Sequence, residues 1–107
     1  MSDFVIITTT TDQRKDAEKI ARILIEKKLA ACVQIAGPVT SIYPWKGKIE
    51  TADEWQCVIK SRADLFGQIE AAIKSIHPYE TPEIIAVPVD NGSKDYLDWM
   101  SAELINS

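Results

Sequence analysis

The chain has 107 residues, 46% apolar and 26% charged, a composition that bounds it to one ordinary globular domain spanning 1–107. A net charge of −4 and a pI of about 4.9 argue against a nucleic-acid partner, and no apolar run approaches the ~20 residues needed to span a bilayer. No basic, apolar leader opens the sequence, which predicts a cytoplasmic protein whose Cys32 and Cys57 stay reduced.

Phe4-Val5-Ile6-Ile7-Thr8-Thr9 is a short β-branched run, predicted as a central or doubly covered strand over residues 4–9. Thr10, Thr11 and Asp12 carry oxygens suited to capping a helix. Ala17, Ile20, Ala21, Leu24 and Ile25 then recur at helical spacing, predicting a helix over about 13–28. A second strand begins near Cys32, is broken by Gly37-Pro38 as a bulge or bend, and resumes over 40–45. Gly47, within Lys46-Gly47-Lys48, marks a hairpin turn.

The return strand, over about 50–61, puts Trp55, Cys57 and Ile59 on one face and Gln56, Val58 and Lys60 on the other. Ser61-Arg62-Ala63-Asp64 has the form of a capping box, followed by the helical stripe Leu65, Phe66, Ile69, Ala72, Ile73 and Ile76. Next comes His77-Pro78-Tyr79-Glu80-Thr81-Pro82-Glu83-Ile84, which holds the only histidine. Its two prolines predict a stiff, extended connection that fixes where imidazole, phenol and carboxylate point. A strand over 84–89 carries Pro88, which suits an edge or a bulge. Asn91-Gly92 turns the chain, Ser93 can cap, and a last helix carries Tyr96, Leu97, Trp99, Met100 and Leu104.

Shifting the chain by 52 residues lays one strand–helix–strand half on the other, with a hairpin between them. Right-handed crossovers in both halves predict an α+β, ferredoxin-like fold, βαββαβ. It has a four-stranded antiparallel sheet, two helices on one face and an extra C-terminal helix. The hairpin strands are about twice the usual 5–6 residues. Ile42, Tyr43, Trp45 and Ile49 would therefore stay wet in a monomer, so the tip is either an exposed apolar patch or packs on another copy.

Five motifs in order resemble the CutA1 divalent-cation tolerance family. They are Cys32-Val33-Gln34-Ile35, Ser41-Ile42-Tyr43-Pro44-Trp45-Lys46-Gly47-Lys48 with Glu50, Ile59-Lys60-Ser61, the His77 segment, and Tyr96-Leu97-Asp98-Trp99. The resemblance implies a non-catalytic homotrimer, architecturally similar to the PII signalling proteins, in which long hairpins and strand edges of neighbouring subunits pair. It implies copper or another divalent cation as the bound ion, with none required for folding. His77 and Cys32 match positions proposed as copper ligands, and imidazole and thiolate suit copper. Some relatives carry a further cysteine where this chain has Thr8.

The resemblance also implies an intersubunit cleft for a metal ion or small ligand, drawing on Lys60, Tyr79, Glu80, Tyr96 and Trp99. Each residue keeps a plainer reading. His77 could cap the preceding helix, and Cys32 could be a small buried apolar group. Lys60 could bind an anion or pair with Glu80. Tyr96 and Trp99 could pack on the sheet, and Glu54 could reach the cleft or be a solvated strand carboxylate. The competing function is a PII-like regulator binding a small anion or a protein. Enzymatic function fares worst. Thr8-Thr9-Thr10-Thr11-Asp12 lacks the glycine-rich, arginine-bearing loop of acylphosphatases, and no second histidine supports nucleophilic chemistry.

Overall fold

A computed structural model describes residues 3–106. Strand β1 (Phe4–Thr11) leads to helix α1 (Arg14–Glu26), then β2 (Cys32–Trp45) and β3 (Lys48–Arg62). A 3-10 turn (Ala63–Leu65) opens helix α2 (Phe66–Ile76), and β4 (Ile85–Pro88) and helix α3 (Lys94–Glu103) follow. The sheet is antiparallel throughout, in the order β2-β3-β1-β4, which is the ferredoxin-like arrangement expected from the two halves. β1 is central, and β4, with its proline, lies at an edge.

Alternation along the strands decides what each face carries. Ile7 stands opposite Ile59, and both are fully buried beneath α1 and α2 with Ile20, Leu24, Leu65, Ile69 and Ile73. The neighbouring row, Ile6, Lys60 and Cys32, points to the face opposite α1 and α2. Two contacts tie the C-terminal part to this face's end: Lys60 Nζ lies 5.5 Å from the Tyr96 ring centre, and Arg62 donates to the Ile105 carbonyl at 2.8 Å.

Two expected caps are absent, for one reason: the hydroxyls find better acceptors. Ser61 is buried and donates to the Leu29 carbonyl at 2.6 Å, tying β3 to the loop after α1, while Arg62 takes the flanking position. Thr11 donates to the Gln13 carbonyl at 2.8 Å, and Gln13 rather than the threonines flanks α1. Ser93 does flank α3, without a side-chain cap bond.

The interruption expected at Gly37-Pro38 is a bulge between Ala36 and Val39, and β2 runs through it as one strand. Lys46 and Gly47, both at positive φ, form a two-residue turn, the geometry whose twist matches a hairpin. β1 ends at Thr11 opposite Trp55, so residues 48–54 of β3 pair only with β2. The hairpin thus projects beyond the body, and the molecule extends 45 Å along its long axis against 26 and 22 Å across. Ile42 and Ile49 on this projection are 69% and 80% exposed.

Cys57 is sealed in the core, its thiol donating weakly to the Ala17 carbonyl at 3.5 Å, and burial pushes its pKa up to about 11. A thiol so held has almost no thiolate at neutral pH. We expect Cys57 to resist a thiol-specific reagent in the native protein and to react once denaturant unfolds it. Prompt native labelling of Cys57, located by peptide mapping, would contradict this placement.

Candidate functional site

The overhang makes a cleft. The 77–83 segment leaves α2, runs past the end of β1 and faces the unpaired stretch of the hairpin. Between them lies an open cleft of about 790 Å³, lined by Thr10, Ser41, Tyr43, Trp45, Tyr79 and Thr81 among others. Glu50, Glu54, Glu80 and Glu83 also line it, and among the described residues no lysine or arginine does.

The proline-stiffened segment is held by side chain–backbone bonds. The Tyr79 N–H donates to His77 Nδ1 at 3.1 Å, so Nδ1 carries a lone pair. His77 Nε2 then bears the proton and donates to the Thr10 carbonyl at 2.8 Å. Both ring nitrogens are thereby used on the chain's own backbone, and His77 pins the segment to the end of β1. It does extend the end of α2 through its N–H, which donates to the Ile73 carbonyl at 2.9 Å. The imidazole and Tyr79 rings pack 4.9 Å apart.

Pinned in this way, Tyr79 reaches across the cleft and donates its hydroxyl to Glu54 Oε2 at 2.6 Å. Glu54 is only 7% exposed, so the solvated-carboxylate reading fails. Burial, and then the bond to Glu54 with its charge, push the Tyr79 phenol well above its usual range. The folded pKa is raised, so the stability this bond supplies is present below the unfolded tyrosine value near ~10 and lost above it. Tyr79→Phe leaves a buried carboxylate oxygen without its donor. We expect that change to cost about 1–3 kcal/mol in chemical denaturation, and an unchanged midpoint would refute the clamp.

The remaining expected site residues lie elsewhere. Cys32 is opposite Lys60, which is opposite Ile6. Thr10, the anchor of His77, is four residues further along β1, roughly 13 Å away by strand rise alone. One chain therefore does not bring Cys32 to His77. Lys60 does not pair with Glu80 either; its ammonium rests over Tyr96, which packs on Trp99 with ring centres 5.5 Å apart. Tyr96 and Trp99 are both exposed rather than packed into the sheet. The expected residues fall into two groups: His77, Tyr79 and Glu80 at or beside the cleft, and Cys32 and Lys60 on the sheet face opposite α1 and α2, where Lys60 meets Tyr96 and, through it, Trp99 of α3.

Glu50 and Glu83 complete the cleft without having been expected there, and Glu54, which the sequence left between the pocket and solvent, lines it too. Glu83 accepts from the Thr8 hydroxyl at 2.9 Å. The signal for Glu54 is the length of β1. The predicted strand stops at Thr9, and the two further residues, paired with Gln56 and Trp55, set the overhang to begin at Glu54.

The model of the CutA1 divalent ion tolerance protein family matches residues 5–103. The chain belongs to the CutA1 family. The divalent-cation tolerance protein CutA of Archaeoglobus fulgidus is 43% identical over 100 residues, covering 94% of this chain and 95% of that one. Its solved structure, described as that of a periplasmic protein, superposes at TM-score 0.91 with 41% identity, covering 94% and 97% of the two chains. Protein CutA of Homo sapiens is 45% identical over 91 residues, which are 85% of this chain but 51% of that longer protein. CutA1 of Oryza sativa superposes at TM-score 0.96 with 32% identity, covering 99% and 97% of the two chains. The family and the Archaeoglobus fulgidus relative carry the name of divalent-cation tolerance and not of an enzyme.

By itself this chain is a poor fit to a metal centre of any kind. Among the described residues no three His, Cys, Asp or Glu side chains converge as a ligand shell. His77 has both nitrogens engaged, and Cys32 is far along the sheet. The donors that do face the cleft are carboxylates and hydroxyls, which suit harder divalent cations.

Proposed function

We propose that the chain acts in divalent-cation tolerance as a non-catalytic, cytoplasmic homotrimer that takes up metal at a cleft shared between copies. The observation that carries this reading is the overhanging hairpin. It exposes Ile42, Trp45 and Ile49, while the β4 edge exposes Ile85 and Val87. A single small domain does not leave such surfaces wet at a hairpin and a sheet edge together without a partner. The same overhang frames the carboxylate-lined cleft, so covering the hairpin with another copy would close the cleft. A cation entering a dry cleft lined by one sign of charge is held more strongly than at an open surface.

Copper specificity through His77 and Cys32 is the finer part of the proposal, and it requires the thiol of one copy to approach the imidazole of another. His77 would then exchange a backbone bond for the metal. The test is calorimetric titration of the reduced protein with copper and with zinc, beside the His77→Ala/Cys32→Ser and Glu54→Gln/Glu80→Gln variants. Loss of copper binding in the first variant alone assigns the soft ligands. Loss in the second alone assigns the carboxylates, and unchanged binding in both would reject the cleft as the metal site.

One observation favours a second reading, a PII-like regulator. Among the described residues no carboxylate forms an ion pair with the Lys60 ammonium, which lies beside the exposed aromatic pair Tyr96 and Trp99. A small anion with a planar group fits that chemistry. Thermal shift on adding such anions, abolished by Lys60→Ala, would support it.

A further inference from the structure

We propose that Asn91-Gly92 is a site of spontaneous covalent modification, at which the asparagine converts through a cyclic imide to aspartate and isoaspartate. This inference is independent of metal binding. Asn91 and Gly92 are exposed and lie in the connection between β4 and α3, outside any helix or strand. Among the described residues the Gly92 N–H makes no backbone hydrogen bond, so its nitrogen is not tied up in secondary structure. Glycine carries no Cβ to shield that nitrogen, and it leaves the backbone the freedom ring closure needs.

The chemistry balances without an outside oxidant or reductant. The Gly92 backbone nitrogen attacks Cγ of Asn91, a C–N bond closes the imide, and the side-chain nitrogen departs as ammonia with the proton from Gly92. Water then adds to one of the two imide carbonyls. Opening at the backbone carbonyl leaves isoaspartate, with the main chain lengthened by one methylene; opening at the side-chain carbonyl leaves aspartate. Either product adds a negative charge two residues before Ser93, which flanks the start of α3.

The structure says which element registers the change. A Cβ placed on Gly92 would meet Leu97 side-chain atoms at 3.0 Å, so the main chain here already lies against α3. Aspartate leaves that packing intact and places an anion toward the helix's positive end, which is favourable. Isoaspartate displaces Gly92 and loosens Leu97. The chain's other asparagine, Asn106, precedes Ser107, whose side chain hinders the same attack, and it serves as the internal comparison.

The test is ageing of the intact protein in warm, mildly alkaline buffer, followed by peptide mapping and labelling with an isoaspartyl methyltransferase. The expected result is amide-to-acid conversion and methyl labelling at Asn91 ahead of Asn106, with labelling lost in Asn91→Gln. A synthetic peptide spanning residues 88–95 is aged in parallel. If the peptide converts while Asn91 in the folded protein stays an amide, the loop conformation blocks ring closure and the proposal is overturned.

Discussion

Ile49→Asp is expected to abolish assembly and leave a folded monomer. Ile49 is 80% exposed and stands opposite Pro44 on a part of the hairpin that β1 never reaches. Its side chain therefore contributes nothing to the chain's own core, and its removal leaves α1, α2 and the sheet unaltered. In an assembly that buries the hairpin, the new carboxylate has to be desolvated without a partner, which costs several kcal/mol per copy, on the order of what holds a small interface together. Sedimentation or light scattering reads the mass, and circular dichroism verifies the fold. An Ile49→Asp protein with undiminished assembly would show that the hairpin faces solvent.

Gly37→Val is expected to destabilise the monomer itself by about 3 kcal/mol or more, because two costs combine. Gly37 has φ of +154°, in the region side chains rarely adopt, and a Cβ there would lie 2.8 Å from Trp55 Cε3 and 3.0 Å from the Glu54 carbonyl oxygen. Neither neighbour can retreat cheaply. Trp55 is partly buried against the core beneath the Arg14 guanidinium, and the Glu54 carbonyl belongs to β3. Gly67 offers the control: a Cβ there meets nothing within 4 Å, and Gly67→Ala in α2 should stabilise by up to ~1 kcal/mol. Equal denaturation midpoints for the two variants would refute the strained bulge.

The elements were largely legible because their periodicities are clean. Ile7 and Ile59 fall in β-branched or alternating runs, and Leu65, Ile69 and Ile73 recur at helical spacing, so burial follows from pattern alone. The edge position of β4 was readable from Pro88. What the pattern could not show is competition among hydrogen-bond acceptors. Ser61 and Thr11 have the residue types of caps, yet their hydroxyls go to Leu29 and Gln13 carbonyls that only the folded chain brings near.

The cleft was half legible for a related reason. Pro78 and Pro82 announce a stiff segment, and that segment does present Tyr79 and Glu80 to the cleft. The sequence left Glu54 between pocket and solvent because its burial depends on where β1 stops, a boundary that propensity places poorly. The sequence left Lys60 between binding an anion and pairing with Glu80; in the chain Lys60 turns to Tyr96 instead of Glu80. Residues that a family motif groups together need not meet within one copy.

The most direct measurement compares copper titration of the wild-type protein with that of the Ile49→Asp variant, with mass determined on the same samples. The shared-cleft account predicts saturable binding by the assembly and its loss in the monomer, although every ligand-bearing side chain is still present. Binding of the same stoichiometry and affinity by the monomer would contradict it, and would place the metal within a single chain.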